Sequence, residues 1–579
     1  MMRCVCFGML VLFAVGAYAQ STEPEGPSSW TPKQAVSARR AMIATANPLA
    51  TEAGLRILKQ GGSAADAAVT AQLVLNLVEP QSSGIGGGAF IVHHQGSTGK
   101  VAAYDGRETA PAAATPDRFV GKDGTPVKFF DAVVGGKSVG VPGTLRVLAL
   151  AHRKHGRLPW ATLFAPAIAL AERGFPISVR LHGALATEKA LARDPVANAY
   201  FYQADGGPHP VGHVLKNPEF ATTLKRIAAD GPNAFYTGDI ARDIVAKVRG
   251  HPTNPGDLTE ADLANYKAKE RTPVCGPYRI YRICGMPLPS SGGMTVLQIL
   301  GMLERFDFSR LAPTSLFAVH LFAEAGSIAY ADRGFYMADP DFVQPPAGLL
   351  DPEYIAARSQ LIRPDRALGR AQPGDPRTSA ARQRTARAAD QSLEFPSTSH
   401  LSIVDRYGDA MAMTTTIEDL FGSRQMVRGF LLNNELTDFS LAPTAGGKPV
   451  ANRVEAGKRP RSSMAPTIVY DQGGRVHAIL GSPGGGWIIN YVAKTLVGIL
   501  DWNLNPQQAI DMPNMGSRNL GFVELEKNTA AAALEPKLRA LGHDVRVIDQ
   551  TSGLQAIVRS PTGWTGGADS RREGAVRGY

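Results

Sequence analysis

Two β-branched, apolar-rich runs separated by a short polar loop constrain the fold of this 579-residue chain more than any other stretch. The runs are Thr398–Val404 and Ala410–Thr416, and the loop between them, Asp405–Asp409, consists of turn-forming residues. This pattern predicts a β-hairpin. Symmetric closure of the loop places Thr398 opposite Thr416, where directly opposed Cβ atoms lie about 4.5–5.5 Å apart.

A strand-initial threonine can act as a nucleophile only if its hydroxyl has a base. One solution is to make Thr398 the first residue of a chain, so that its own α-amino group, with a pKa of about 7.7–8.0, takes the proton. Because Thr398 is internal, this interpretation requires cleavage between Ser397 and Thr398. From the hairpin alone, the alternative is that Thr398 merely begins an ordinary strand, since β-branched residues favour strands.

Residues 1–19 have the pattern of a cleavable signal peptide. Arg3 supplies a positive charge, residues 5–16 form an apolar run too short to span a bilayer, and residues 17–19 match the A-x-A cleavage pattern. No later stretch is apolar for long enough to be a membrane helix. We therefore expect a mature chain that starts at Gln20, is periplasmic or secreted, and has no membrane span.

The net charge of +10 at first suggests a nucleic-acid-binding protein. Much of this charge lies in residues 358–387, which carry 8 arginines and no aromatic residue to stack on bases. Low apolar content across residues 358–396 predicts an exposed basic linker, and no nucleic-acid partner is expected. The linker ends immediately before Ser397, where an internal processing site would need chain ends that can separate.

Three other motifs have weaker interpretations. Residues 136–140 match the nucleophile-elbow pattern G-x-S-x-G, but a proline two residues further on prevents a helix from starting at Ser138. The glycines of residues 84–88 follow a predicted helix and open a strand, the reverse of the order in a phosphate loop. Cys275 and Cys284 could pair in an oxidising compartment or remain buried thiols, and without a nearby histidine they do not make a zinc site.

Several polar residues are suited to bind a charged substrate. Arg107 follows a predicted strand and could clamp a carboxylate, although a surface arginine is the simpler explanation. Glu435 and Asp438 could hold an ammonium group or cap the following turn. Gly484 and Gly485 lie at a predicted helix N-terminus, where unpaired backbone N–H groups can stabilise an oxyanion.

Taken together and in order, these motifs resemble the γ-glutamyltranspeptidases, members of the N-terminal-nucleophile hydrolase superfamily. The motifs that carry the resemblance are A-T-A-N-P-L-A-T, G-G-S-A-A-D-A-A-V, V-E-P-Q-S-S-G-I-G-G-G-A-F, D-G-R-E-T-A-P, S-T-S-H-L-S, L-L-N-N-E-L-T-D-F-S, K-R-P-R-S-S-M-A-P-T, G-S-P-G-G and G-G-A-D-S-R-R-E-G. The resemblance implies a four-layer αββα sandwich made from one precursor. Its parts would be a signal peptide (1–19), a large subunit (20–397) and a small catalytic subunit (398–579).

The resemblance also implies a reaction. Thr398 would attack the carbonyl of Ser397 and be freed by hydrolysis, and its hydroxyl would then attack γ-glutamyl amides such as glutathione. The backbone N–H groups of Gly484 and Gly485 would hold the oxyanion. Water or an acceptor amino acid or peptide would resolve the γ-glutamyl-threonine ester, with no cofactor and no metal.

The same resemblance implies roles for individual residues. Those proposed to bind the α-carboxylate of the glutamyl group are Arg107, Ser462 and Ser463; those for its α-ammonium group are Glu435 and Asp438; and Thr416 would hydrogen-bond the nucleophile.

Two features depart from the pattern of the family. Asparagine is common in the best-known members at the position of Glu418, where a second negative charge would repel a substrate carboxylate unless it pairs with Arg107 or points away. Residues 440–457 contain no aromatic residue and are unlike the lid loop of some bacterial members, which predicts an open acceptor side.

Two alternatives remain at this stage. The first is a cephalosporin or glutaryl acylase on the same scaffold, although a glutaryl group has no ammonium for Glu435 and Asp438 to bind. The second is a secreted binding protein that kept the fold and lost catalysis. The expected partners of the enzyme are small γ-glutamyl compounds and, for each subunit, the other half of the cut chain.

Overall fold

The structure is a computed structural model, and it describes residues 30–376, 387–390, 392, 394–395 and 397–579. The predicted signal peptide (1–19) and the central part of the predicted linker lie outside the described residues. Within those ranges no helix is both long and apolar enough to cross a bilayer.

Two large antiparallel sheets form the centre of the molecule. The strands of the first sheet, in spatial order, are Val36–Ala38, Gly563–Ala568, Gln555–Ser560, Val476–Gly481, Thr467–Tyr470, Tyr281–Gly285 and Val274–Tyr278. Those of the second sheet are Ala575–Gly578, Met42–Thr45, Thr398–Val404, Ala410–Thr416, Gly88–His94, Val101–Gly106 and Lys269–Arg271.

Helices surround the sheets. Their bounds are Pro48–Lys59, Ala64–Val78, Phe129–Val133, Thr144–His155, Ala165–Arg173, Val179–Thr187, Pro195–Phe201, Pro218–Asp230, Asn233–Tyr236, Gly238–Arg249, Glu260–Asn265, Gly292–Leu303, Leu316–Tyr336, Pro352–Ser359, Ile488–Leu500, Pro506–Asp511 and Glu535–Ala540. Their ends follow the local sequence. Asn47 caps the first helix, with a proline at its first position, and Ser63 and Asp66 form a capping box at the start of the second.

The burial of alternate strand residues shows how the layers are stacked. Successive residues of a strand point to opposite faces of the sheet. Ile91 and Met411 of the second sheet belong to an apolar cluster shared with helices such as Ala64–Val78. Their neighbours Val92 and Ala412 belong to a second cluster, shared with the first sheet and its covering helices. The predicted four-layer αββα sandwich is therefore confirmed.

The central hairpin forms as the sequence predicts. Strands Thr398–Val404 and Ala410–Thr416 pair over seven residues with Thr398 directly opposite Thr416. Asp405 closes the loop, because its side chain accepts hydrogen bonds from the backbone N–H groups of Tyr407 and Asp409. The loop needs a left-handed residue, and Gly408 provides it with φ 87°.

Three other features clarify or correct the sequence analysis. Cys275 and Cys284, left open above, form a disulfide across two paired strands. Ser138 ends a short 3₁₀ turn and donates its hydroxyl to the Val133 carbonyl at 2.6 Å, so it is not presented as a nucleophile. Arg358, where the linker was predicted to begin, lies instead in helix Pro352–Ser359, buried and paired with Asp332.

Candidate active site

One cavity brings together nearly all of the residues selected from the sequence. The predicted residues on its wall are Arg107, Thr398, Thr416, Glu418, Glu435, Asp438, Ser462, Ser463 and Gly485. Ser397 and Gly484 are chain neighbours of two of them. The cavity lies at the Thr398 end of the central hairpin, so the paired strands fix the position of the candidate nucleophile.

The bond predicted to be cut is held by the opposite strand. Thr416 donates its hydroxyl to the carbonyl oxygen of Ser397 at 2.8 Å. The same hydroxyl oxygen accepts from the backbone N–H of Glu418 at 2.8 Å, and the Ser397 hydroxyl donates to the Gln81 carbonyl at 2.5 Å. In the uncut chain Thr416 therefore contacts the carbonyl that Thr398 would attack. The predicted contact of Thr416 with the nucleophile itself stays a prediction for the cut chain.

The glycine turn of the candidate oxyanion site requires glycine. Gly484 and Gly485 have φ values of 136° and 52°, a region that other residues rarely adopt. A Cβ on Gly484 would lie 2.6 Å from the Tyr491 ring. The turn leads into helix Ile488–Leu500, and the first N–H groups of such a helical segment have no partner within it.

Arg107 pairs with the two acidic residues that were predicted to bind an ammonium group. It follows directly on strand Val101–Gly106, is buried, and donates one hydrogen bond each to Glu435 and Asp438. Further N–H groups donate to the carbonyls of Pro460 and Arg461, at 3.1 and 2.9 Å. Burial opposes the charged form, but the neighbouring carboxylates outweigh it and raise the pKa of Arg107. Burial raises the pKa of both Glu435 and Asp438, and the single cation Arg107 offsets part of their negative charge.

Glu418 pairs with an amide side chain and not with Arg107. Its carboxyl accepts a hydrogen bond from the Asn434 side-chain amide. Burial, and then the nearby Asp438, Asp419 and Glu435, raise the pKa of Glu418 well above its ordinary value. The raised pKa favours the neutral carboxyl and so reduces the repulsion of a substrate carboxylate that the sequence suggested.

The Glu418→Gln substitution should therefore stabilise the fold increasingly as pH rises. A carboxyl whose pKa is raised by folding contributes stability below its unfolded pKa and loses that contribution as pH rises toward the folded value. As pH rises from about 5 to 8, the free energy of unfolding of the variant should therefore increase relative to that of the parent chain. Thermal unfolding at several pH values, in a Thr398→Ala background that keeps every sample uncut, measures the difference.

The matched control is Glu52→Gln. Glu52 forms a half-exposed ion pair with Arg577, so its replacement should change stability little at any of these pH values. A Glu418→Gln variant with the same pH-independent behaviour as the control would show that Glu418 is ionised in the folded chain.

The structure adds residues that the sequence analysis did not select. The Ser463 hydroxyl donates to Glu394, and Arg333 of helix Leu316–Tyr336 donates to both residues. Ser462 instead accepts from the backbone N–H of Met464 at 3.1 Å. The position of Glu394 three residues before Ser397 was a signal for its closeness to the site, whereas nothing in the local sequence indicates Arg333.

A second group of polar residues lies together in the structure although their spacing in the sequence did not predict a site. The ligand atoms of His320, Glu324 and His543 lie within 4.8 Å of one another, in a buried cluster. His320 Nε2 lies 2.7 Å from the Arg363 carbonyl, so it carries the hydrogen, and His320 Nδ1 accepts from His543 Nε2 at 2.7 Å. These hydrogen bonds explain why the two imidazoles lie together.

Comparison with known proteins gives results consistent with this geometry. The family model described as gamma-glutamyltranspeptidase matches residues 50–579. The chain is 38% identical over 581 residues to the glutathione hydrolase proenzyme of Bacillus subtilis (strain 168), covering 98% of this chain and 96% of the relative. It is 36% identical over 550 residues to the glutathione hydrolase proenzyme of Escherichia coli (strain K12), covering 93% and 91%.

Solved structures include a similar chain that is named for a different activity. The crystal structure of cephalosporin acylase from Bacillus halodurans superimposes with a TM-score of 0.82 at 27% identity. The alignment covers 98% of this chain and 99% of the acylase. The scaffold therefore occurs with more than one acyl substrate, and the residues of the cavity must decide between them.

Proposed function

The chain belongs to the γ-glutamyltranspeptidase family, and on that premise we propose that it is a precursor that cuts itself and then hydrolyses or transfers γ-glutamyl groups. The observation that carries the proposal is the composition of the cavity. Thr398 shares it with the guanidinium of Arg107 and with the carboxyl groups of Glu435 and Asp438, which pair with that guanidinium. These are the counter-charges that the amino-acid end of a γ-glutamyl compound requires. The carboxyl groups of Glu394 and Glu418 also line the cavity.

The first step is cleavage at Ser397. The Thr398 hydroxyl adds to the Ser397 carbonyl carbon, the C–N bond breaks, and an ester replaces the amide while the Thr398 nitrogen becomes a free amine. The Thr416 hydroxyl, 2.8 Å from the carbonyl oxygen, stabilises the negative charge that develops there. Water then hydrolyses the ester, leaving a carboxylate on Ser397 and an amine on Thr398.

The two products remain together as a heterodimer of residues 20–397 and 398–579. The second sheet interleaves strands from both, because Met42–Thr45 lies between Ala575–Gly578 and Thr398–Val404. Separation would break backbone hydrogen bonds on both sides of that strand. The signal pattern of residues 1–19 supports an exported, periplasmic or secreted enzyme.

Substrate binding is an exchange of charge partners. Before binding, Arg107 is paired with Glu435 and Asp438. The α-carboxylate of the glutamyl group takes Arg107, with Ser462 and Ser463 as further donors, while the α-ammonium group takes the two acids. The exchange leaves each buried charge paired, which is the condition for charges to be tolerated in such a site.

The acyl transfer then uses the new amine. The Thr398 amine takes the proton of the hydroxyl as the oxygen attacks the γ-carbonyl carbon. The N–H groups of Gly484 and Gly485 hold the oxyanion, and the leaving amine takes a proton as the γ-glutamyl-threonine ester forms. Water gives glutamate, and an acceptor amino acid or peptide gives a new γ-glutamyl amide.

The rival function is hydrolysis of glutaryl amides, which the similarity to a cephalosporin acylase makes concrete. A glutaryl group supplies a carboxylate and no ammonium. It would take Arg107 away from Glu435 and Asp438 and leave two buried acids without a cation. We therefore expect γ-glutamyl-p-nitroanilide to react at least about 10²-fold faster, in kcat/KM, than glutaryl-p-nitroanilide. Release of p-nitroaniline measures both rates.

A variant of the acids tests the reason for the preference. Replacing Glu435 by glutamine and Asp438 by asparagine should lower the ratio of the two kcat/KM values. The γ-glutamyl compound would then lose the carboxylates that bind its α-ammonium group. The control is Asp257→Asn, which removes one acid of an ion pair with Arg118 outside the cavity and should leave the ratio unchanged. A wild-type preference for the glutaryl compound would contradict the proposed function.

A further inference from the structure

The residues just before the cleavage site occupy the cavity. The Glu394 carboxylate accepts a hydrogen bond from the Ser463 hydroxyl and another from the Arg333 guanidinium, and Arg461 lies 3.5 Å away. Burial alone would raise the pKa of Glu394, but the charges of Arg333 and Arg461 lower it to about 2. Glu394 is therefore an ionised, almost fully enclosed carboxylate, with a side chain only 7% exposed.

Phe395 completes the blockage. Its ring stacks on that of Phe129 with centroids 4.2 Å apart. Its carbonyl oxygen covers the glycine turn so closely that a Cβ on Gly485 would lie 2.4 Å from it. The space that remains is about 20 Å³, which is enough for about one water molecule. A γ-glutamyl group therefore cannot enter while these residues are in place.

Hydrogen bonds fix the Arg333 guanidinium in an orientation that suits a bound carboxylate. Its Nε–H donates to the Ser291 hydroxyl at 2.8 Å, which fixes the plane of the guanidinium. The same Ser291 hydroxyl donates to the Ser462 carbonyl at 2.7 Å, and Arg333 also donates to the Ser463 hydroxyl at 2.7 Å. The guanidinium is thus tied to both serines predicted to bind a substrate carboxylate. Its carboxylate partner Glu394 lies on the segment that cleavage would release.

We propose that Glu394 stands in for the α-carboxylate of the substrate in the uncut chain, and that Arg333 with Ser463 forms a carboxylate-binding subsite that becomes free after cleavage. The inference deepens the proposed function and rests on it. Cleavage detaches residues 394–397 from strand Thr398–Val404. When Glu394 leaves, Arg333 is a buried cation without its carboxylate, and a substrate carboxylate restores the pair.

This subsite supplements Arg107. In the uncut chain Arg107 already donates to two carboxyl groups and two backbone carbonyls. A carboxylate that bound Arg107 alone would have to displace both acids at once. A second guanidinium, that of Arg333 beside the Ser463 hydroxyl, lets the α-carboxylate bind while the acids turn to the α-ammonium group. The ligands expected at this subsite are γ-amides of glutamate that keep a free α-carboxylate and a free α-ammonium group.

Binding to the uncut chain tests the stand-in directly. The probe is γ-glutamyl-p-nitroanilide, because its only carboxylate is the α-carboxylate, and isothermal titration measures its affinity. The parent for this titration is a Thr398→Ala, Phe395→Ala chain, which cannot react and lacks the aromatic ring that helps to fill the cavity. It should bind the probe at least about tenfold more weakly than the same chain with Glu394→Ala added. Adding Arg333→Met to the latter should weaken binding at least about tenfold again. Glu270→Ala, which breaks a half-exposed pair with Lys154, is the control and should not improve binding.

Kinetics of the cut enzyme provide a second, independent measurement. Arg333→Met should raise KM for the same compound at least about tenfold with a smaller change in kcat, and Arg333→Lys should recover part of the loss. Arg118→Met, which removes a buried guanidinium paired with Asp257 elsewhere, should keep the wild-type KM. If the Arg333→Met chain does not cleave itself, the titrations on the uncut chain still measure the contribution of Arg333 to binding.

The outcomes separate this inference from the proposed function. A wild-type enzyme that does not hydrolyse γ-glutamyl-p-nitroanilide contradicts the proposed function. An active wild type in which Arg333→Met keeps its KM contradicts only the subsite. The stand-in role of Glu394 is overturned if Glu394→Ala leaves the uncut chain as weak a binder as before.

Discussion

The Thr398→Ala chain is expected to remain a single polypeptide and to lose γ-glutamyl amide hydrolysis by about 10⁴-fold or more. The variant removes the only group that can add to the Ser397 carbonyl in the proposed cut, and with it the later nucleophile. The amine that serves as base is also never released, so both functions of the residue are lost together. Denaturing gels, N-terminal sequencing and p-nitroaniline release measure the three consequences.

The control is Thr398→Ser, which keeps a hydroxyl at the same position. We expect it to be cut, more slowly than the wild type, and to give a small subunit beginning Ser-Ser-His. The wild type should give one beginning Thr-Ser-His. Efficient cleavage of Thr398→Ala, or full activity of an uncut chain, would contradict a mechanism in which scission creates the catalytic base.

The hairpin shows what could be predicted from the sequence. Its two strands are β-branched, apolar-rich runs and its loop consists of turn formers. The register follows from counting outward from the loop, so the pairing of Thr398 with Thr416 needed only local information. The αββα layers were an implication of the resemblance rather than of local pattern. The structure confirms them because the neighbours Met411 and Ala412 are buried in two different apolar clusters, one on each face of the sheet.

The charge pairs of the cavity could not be predicted in the same way. The chemistry of Arg107, Glu435 and Asp438 was visible, but their pairing with one another depends on packing between residues more than 300 positions apart. Glu394 and Arg333 are 61 positions apart, and their pairing likewise depends on packing rather than on local sequence. The raised pKa of Glu418 comes from its burial among other acids. Sequence shows which groups a site contains, whereas only the fold shows which of them neutralise each other.

Thr416→Val should slow self-cleavage by about 10²-fold, the usual cost of removing one donor from a developing oxyanion. The Thr416 hydroxyl donates to the Ser397 carbonyl at 2.8 Å. The Glu418 N–H donates to the Thr416 hydroxyl oxygen and so orients the hydroxyl hydrogen toward that carbonyl. The bond is buried, where such a hydrogen bond is worth more than in water. Denaturing gels taken over time after cell-free synthesis give the rate of loss of the full-length chain.

Thr415→Val distinguishes this role from a general effect on the strand. Thr415 is the next residue of the same strand, is equally buried, and its hydroxyl has no hydrogen-bond partner among the described residues. Valine there should leave the cleavage rate unchanged, because the shape is kept and no bond is lost. Thr416→Ser, which restores the hydroxyl, should recover most of the rate. Equal slowing by both valine variants, or no recovery with serine, would show that Thr416 acts through packing and not through the carbonyl of Ser397.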